Sequence, residues 1–238
     1  MSMLNLGILA AISPGSFQST APYPFANPQG LIADTAYRAL LATMPDIALF
    51  EKSFQVQRAY GQKPHDRFEL KYRTDLPVSP EWHAFVAELE GPQYCAAIAR
   101  LLGTRRFSMR FQWQYSFHGC SVSPHCDSEN KLGSHIFYFN TPTDWKEEWG
   151  GETLVLDDGS ALDCRSAPEL SAFRIVQASE TIGNRSFLFM RTAHSWHAVN
   201  ELTSPEGVMR KIFTIVFERK LSFFQKIVLR ARRVVSGA

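Results

Sequence analysis

Phe107-Ser108-Met109-Arg110-Phe111-Gln112-Trp113-Gln114-Tyr115-Ser116-Phe117 is where the chain changes character. Aromatic residues alternate with Arg110, Gln112 and Gln114, and a period of two is the signature of a half-buried strand. Residues 134–140, 152–156, 172–176, 185–190, 196–199 and 210–217 read as further strands, with turn residues such as Asp157-Asp158-Gly159 between them. Short strands punctuated by turns predict a sandwich or barrel-like jelly roll.

Upstream the pattern is helical. Residues 31–41 place apolar side chains at helical spacing, with Pro45 beyond the end. Ser79-Pro80-Glu81 opens a second helix that runs to about Glu90. Serine there can cap free N–H groups, proline fits the first turn and glutamate favours the positive helix end. Gly91-Pro92 stops it, and a third helix covers residues 93–102. Residues 66–73 alternate and read as a strand, whereas residues 1–28 read as an irregular lead-in with at most one short strand. Helices first and strands afterwards predict an α+β fold, a jelly-roll (double-stranded β-helix) core buttressed by N-terminal helices. The expected organisation is one domain over 1–220, with helical support over about 29–103 and the jelly-roll core over about 104–218.

Composition agrees with a globular chain that buries a sizeable core: of 238 residues, 45% are hydrophobic and 20% charged. A net charge of +2 argues against nucleic acid as a partner. That charge is uneven. Six basic residues lie from Arg219 onward with no acidic one; removing them from the 25 leaves 19 basic against 23 acidic residues. Residues 221–238 therefore predict a basic amphipathic helix, either docked on the domain or in peripheral contact with an anionic membrane. Four cysteines without a CxxC do not suggest a disulfide framework, and no basic signal region or membrane-length apolar run is present. These features predict a cytoplasmic setting.

The chemistry-bearing stretch is Ser123-Pro124-His125-Cys126-Asp127-Ser128. On an extended segment His125 and Asp127 share a face and Cys126 points away. A third ligand is available in His194-Ser195-Trp196-His197, where the odd separation puts the two histidines on opposite faces. Two histidines and one carboxylate form the facial set of non-haem Fe(II) oxygenases, which leaves positions open for other ligands. A zinc site from His118, Cys120, His125 and Cys126 is the rival, but its spacing fits no standard zinc module. Trp113, Trp145, Gln112, Gln114 and Asn140 are candidates for a substrate cleft or for ordinary packing, and His135 for packing or surface.

Residues 107–218 resemble the catalytic core of the Fe(II)/2-oxoglutarate-dependent dioxygenases, in the prolyl 4-hydroxylase-like branch. The resemblance is carried, in order, by Tyr115, His125-Cys126-Asp127, Phe137-Tyr138-Phe139-Asn140, Trp149-Gly150-Gly151-Glu152-Thr153, Ser195-Trp196-His197-Ala198-Val199 and Arg210 to Phe217. It implies that His125, Asp127 and His197 are the iron ligands, with His194 either structural or a support to the ligands from behind. It further implies that Arg210 pairs with the distal carboxylate of 2-oxoglutarate, that Tyr138 donates a hydroxyl to that carboxylate, and that Tyr115 lies near the co-substrate. Lys211, the neighbour of Arg210, would face the other side of its strand. His197 to Arg210 is a longer connection than the family usually has, with residues 202–207 as an inserted turn.

The implied activity is hydroxylation of a C–H bond with O2 as co-substrate, forming succinate and CO2, with ascorbate as an optional reductant. Asp127 argues against a halogenase, where that carboxylate is missing. Val216, six residues after Arg210, stands where a nucleic-acid demethylase of the superfamily would have a second arginine. The substrate class stays open among a small molecule, a glycan and a peptide. A different class of function, a metal-binding jelly roll acting as a sensor or interaction module without catalysis, is the alternative.

Overall fold

The structure, a computed structural model, describes residues 2–220. The basic helix expected over 221–238 lies outside the described residues. In chain order the helices and strands are α1 (Gly7–Ala11), α2 (Pro14–Gln18), β1 (Phe25–Ala26), α3 (Asp34–Ala42), β2 (Glu51–Ser53), β3 (Arg67–Lys71), α4 (Pro80–Glu90) and α5 (Pro92–Leu102). They continue as β4 (Phe107–Ser116), β5 (Val122–His125), β6 (Lys131–Tyr138), β7 (Leu154–Asp157), β8 (Arg174–Ala178), β9 (Ser186–Met190), β10 (His197–Val199) and β11 (Arg210–Arg219). β1, β2 and β3 are interleaved with the helices, and no α-helix follows β4 among the described residues.

Two antiparallel sheets form the core, one in the order β1-β9-β6-β11-β4-β3-β2 and the other β5-β10-β7-β8. In the large sheet β4 and β11 pair along their whole length, from Arg210 opposite Ser116 to Arg219 opposite Phe107. Their two faces do different work. Phe111 and Trp113 of β4, Phe137 of β6, and Phe213, Ile215 and Phe217 of β11 join α4 and α5 in one core, through Trp82, Phe85, Leu89, Tyr94 and Ile98. Trp82 is central: its ring lies 5.0 Å from Trp113 and 5.3 Å from Phe213, and its Nε1 donates to Thr43 O at 3.0 Å. Burying each such side chain stabilises the fold by about 1.5–3 kcal/mol, which fixes the helices to this face. The opposite face presents Arg110, Gln112, Gln114, Ser134, Arg210, Ile212 and Thr214 to a cleft of about 610 Å3 against the second sheet.

Three local features differ from expectation. The lead-in holds two short helices, because Ser13 accepts a bond from Ser16 N and Pro14 opens α2, the same Ser-Pro signal that begins α4. At α4 itself Ser79 occupies the cap position without a side-chain capping bond. The three-residue β2, paired with β3 at the sheet edge, is too short for its periodicity to register.

Candidate metal centre

β5 and β10 bring the ligand set together. They are neighbours in the small sheet, and His197 sits directly opposite His125. An irregularity follows, with Val199 opposite Val122, and such bulges re-aim side chains beside active sites. The two imidazoles are 4.2 Å apart between ring centres. Asp127 lies two residues past His125, just beyond the strand. One ligand atom from each of His125, Asp127 and His197 falls within 4.8 Å of the others, and among the described residues this is the one such cluster of metal-ligating groups. Cys126 points the other way, as alternation requires, packing with Leu156 and Trp196 behind the sheet.

Hydrogen bonds prepare these groups for a metal. His125 Nδ1 lies 2.9 Å from Ser123 O, and His197 Nδ1 lies 3.0 Å from Ser195 O. A carbonyl only accepts, so each Nδ1 carries the proton and each Nε2 keeps a free lone pair, the outer-sphere arrangement typical of metal-bound histidine. Burial lowers the pKa of both imidazoles, and for His125 the nearby His197, His65 and Arg58 add to it. The rings are therefore neutral at neutral pH. Burial alone would raise Asp127, but the Lys131 charge, with hydrogen bonds from Lys131 and Ser134, outweighs it and holds the carboxyl below its ordinary value. Lys131 Nζ donates to Asp127 Oδ1 at 2.7 Å and Ser134 Oγ to Oδ2 at 3.4 Å. Two neutral imidazoles and one carboxylate, with free lone pairs converging, fit Fe(II).

The second part of the site lies at the start of β11. Arg210 is buried, and its Nε donates to Gly151 O at 2.6 Å. None of the ion pairs among the described residues involves Arg210, whereas Lys211, on the other face, pairs with Asp144 at 3.2 Å. A buried guanidinium without a protein carboxylate calls for an anionic ligand. Its terminal carbon sits 5.6 Å from the centre of the Tyr138 ring. The Tyr138 hydroxyl is 2.8 Å from Thr153 Oγ1 and 2.9 Å from Ser179 Oγ, and burial keeps it protonated.

Trp149-Gly150-Gly151 explains itself here. Trp145 Nε1 holds Gly150 O at 2.9 Å, and Gly151 has φ +100°. A Cβ on Gly151 would stand 3.0 Å from Arg210 Cδ and 3.2 Å from Nε. Gly151→Ala therefore strains the backbone and pushes the guanidinium aside. The expected result is weaker 2-oxoglutarate binding by roughly tenfold or more, a cost of about 1.4 kcal/mol. Titration of the co-substrate onto the metal-loaded protein checks it, and unchanged affinity would refute the positioning role of this glycine.

Tyr115 requires correction. Its hydroxyl donates to Pro45 O at 3.0 Å and its ring lies 4.3 Å from Phe50, on the helix-covered face. It shares strand parity with Phe111 and Trp113, while Gln114 and Ser116 on either side face the cleft. Tyr115→Phe should thus leave co-substrate affinity unchanged and lower stability by about 1 kcal/mol, the worth of one hydrogen bond, as denaturant unfolding would read.

Among the other candidates, His194 bonds to Asp158 at 3.2 Å and His118 to Ser204 O at 3.0 Å, both away from the cluster. The zinc set is not assembled: Cys120 packs with Trp145 and Leu202, apart from Cys126. Trp113 is core, and Asn140 braces the backbone by bonding to Met209 O and Lys211 N. His135 is fully buried against Tyr94, whose hydroxyl lies 2.7 Å from its Nδ1. Gln112 and Gln114 do line the cleft. Sequence reasoning missed Ser179, Lys131, Arg58 and His65. The His65 ring is 4.7 Å from that of His125, and burial, with Arg58 and Arg67 adding to it, pushes its pKa down to about 3. The lysine four residues after Asp127 was the one visible signal among them.

Residues 111–218 match the model of the 2OG-Fe(II) oxygenase superfamily. No curated protein matches the chain. Among solved structures, a Pseudomonas putida prolyl-4-hydroxylase is 14% identical, with a TM-score of 0.62 over 89% of this chain and 100% of that one. SnoK, a non-heme alpha ketoglutarate dependent carbocyclase from nogalamycin biosynthesis, is 12% identical, with a TM-score of 0.61 over 89% and 86%. A prolyl 4-hydroxylase from Phytophthora capsici is 15% identical, with a TM-score of 0.57 over 92% and 66%. At these identities the likeness is one of fold. The matched segment runs from within β4 to within β11 and contains all three convergent side chains together with Arg210, so it is residues 111–218, the part of the chain that carries the site, that match the 2OG-Fe(II) oxygenase superfamily.

Proposed function

We propose that this oxygenase hydroxylates a C–H bond of a small molecule, a glycan or a peptide. The observation that carries the reading is the pairing of one convergent His-Asp-His set with one buried, carboxylate-free arginine across the same cleft. His125 Nε2, His197 Nε2 and the Asp127 carboxylate would hold Fe(II), which would supply the activation of O2 at the expense of 2-oxoglutarate. Arg210 takes the distal carboxylate through its terminal nitrogens while Gly151 O holds Nε, so the guanidinium plane is set before the co-substrate arrives. Tyr138, fixed by Thr153 and Ser179, offers its hydroxyl to the same carboxylate. Ile136, Ile212 and Phe189 narrow the cleft and exclude water from the reacting centre.

The test is succinate formation from 2-oxoglutarate under O2, with ascorbate in the assay and candidate substrates supplied. An anaerobic titration should also show a weak visible band only when Fe(II) and 2-oxoglutarate are both present. No band and no succinate would overturn the assignment and favour a non-catalytic metal-binding module.

No helix among the described residues is long and apolar enough to cross a membrane. For the basic segment after Lys220 we keep the two expectations of docking and peripheral membrane contact. Tighter binding of the intact chain than of one ending at Lys220 to liposomes of acidic lipid would establish the membrane role; equal binding would remove it.

A further inference from the structure

We infer that Arg58 is an oxyanion anchor for the primary substrate, which presents a carboxylate or phosphate to the loop between β2 and β3 while its reacting carbon faces the His125–Asp127–His197 centre. The inference rests on the oxygenase reading and adds a substrate class to it.

Arg58 lines the same cleft as the three ligands, though it comes from a loop far from them in sequence. That loop is firmly placed. Gln55 donates from its backbone N and its Nε2 to the two carboxylate oxygens of Asp66, at 2.7 and 2.8 Å. Gln62 Nε2 reaches Ser166 O at 3.3 Å, and Lys63 pairs with Glu169 at 2.9 Å. Gln55 and Tyr60 have φ of 53° and 60°, so the chain turns sharply on either side of Arg58. Two left-handed non-glycine residues flanking one cation are a backbone cost that native contacts must offset.

The charges of the cleft are otherwise matched. Arg67 pairs with Glu69 at 2.6 Å and Lys71 with the same carboxylate at 3.7 Å. Arg110 pairs with Glu218 at 3.5 Å and Lys131 with Asp127 at 2.7 Å. Arg210 is assigned to the co-substrate. Asp66 is occupied by Gln55. Arg58 alone of the cleft's remaining cations forms no ion pair among the described residues, making only a 3.4 Å bond from Nε to Gln62 Oε1. Its terminal nitrogens are left for a ligand, and a guanidinium fork suits a carboxylate or phosphate. Burial and the neighbouring Arg67 work against its charge and Asp127 favours it, and a bound anion would favour it further. His65, whose ring lies 4.7 Å from that of His125, hydrogen-bonds Ser123 Oγ at 3.1 Å and is committed to that contact. Gln112 and Gln114 line the same cleft and add polar amides to it.

The test uses the full chain held anaerobically with Fe(II) and 2-oxoglutarate, titrated by calorimetry with phenyl phosphate, benzoate and, as a neutral counterpart, benzyl alcohol. Saturable binding of at least one anion is expected, about tenfold weaker or more in Arg58→Gln and intermediate in Arg58→Lys, with benzyl alcohol failing to bind either. The relative strength of the two anions tells phosphate from carboxylate. The anchor is overturned if neither anion binds the wild type, if Arg58→Gln binds them equally, or if benzyl alcohol binds as well. It is also overturned if Arg58→Gln weakens 2-oxoglutarate itself, which would move Arg58 to the co-substrate. Failure of the wild type to bind Fe(II) with 2-oxoglutarate in the preceding titration is the separate sign that the oxygenase reading has failed.

Discussion

Asp127→Ala is expected to abolish productive metal binding while leaving the fold intact. Two neutral imidazoles remain, with no anionic ligand to offset the charge of Fe(II) and one coordination position lost. Loss of a mere outer-sphere partner costs roughly 10–100-fold in metal affinity, and a ligand should cost more than that. The apo protein should barely notice. Asp127 Oδ1 accepts from Lys131, whose partly exposed chain can turn to solvent. The backbone carbonyl of Asp127, which accepts from Arg191 Nε at 3.1 Å, is unaffected by the substitution. The measurement is thermal unfolding with and without Fe(II) in the absence of oxygen. A metal that binds only the native state raises the midpoint, so the wild type should shift and the variant should not, with similar apo midpoints. A variant that kept the full metal-dependent shift would remove Asp127 from the ligand set.

How far the site could be read from sequence depends on whether period-two alternation reaches the residue. On β11 the alternation separates Arg210 from Lys211, and both fall as expected, one into the cleft and the other onto Asp144. Around β5 it separates His125 and Asp127 from Cys126. Tyr115 was misplaced although the same rule applied. It has the parity of Phe111 and Trp113, opposite to the polar Arg110, Gln112 and Gln114, and the polar parity is the one that faces the cleft. Arg58 and His65 were out of reach for another reason. They stand in a loop, which has no period, and only folding carries that loop across to the cleft. Ser179, just past the end of β8, meets Tyr138 through a pairing that joins distant parts of the chain. Local chemistry was legible at Ser79-Pro80 and equally present at Ser13-Pro14, where it marks α2.

Arg210→Ala should separate co-substrate binding from metal binding. In the wild type the guanidinium is buried, braced by Gly151 O at 2.6 Å and without a protein carboxylate, so its charge is available to 2-oxoglutarate. Truncating one partner of a buried, hydrogen-bonded charge pair costs about 2–5 kcal/mol, which corresponds to roughly 30-fold to several-thousand-fold weaker binding. Arg210→Lys keeps the charge but loses the fork, and an ammonium cannot hold Gly151 O and both carboxylate oxygens in the same plane, so its affinity should fall between the two. The Fe(II)-dependent rise in unfolding midpoint should survive in both variants, because His125 and His197 lie on β5 and β10 and Asp127 just past β5, all away from β11. This pattern, metal retained and 2-oxoglutarate lost, is the reverse of what a general collapse of the cleft would give. Lys211→Ala is the control: Lys211 sits on the opposite face with Asp144, and its removal should leave the titration of 2-oxoglutarate where it was. If Lys211→Ala weakened that titration and Arg210→Ala did not, the co-substrate would have to lie on the other side of β11, and the assignment of the cleft would be wrong.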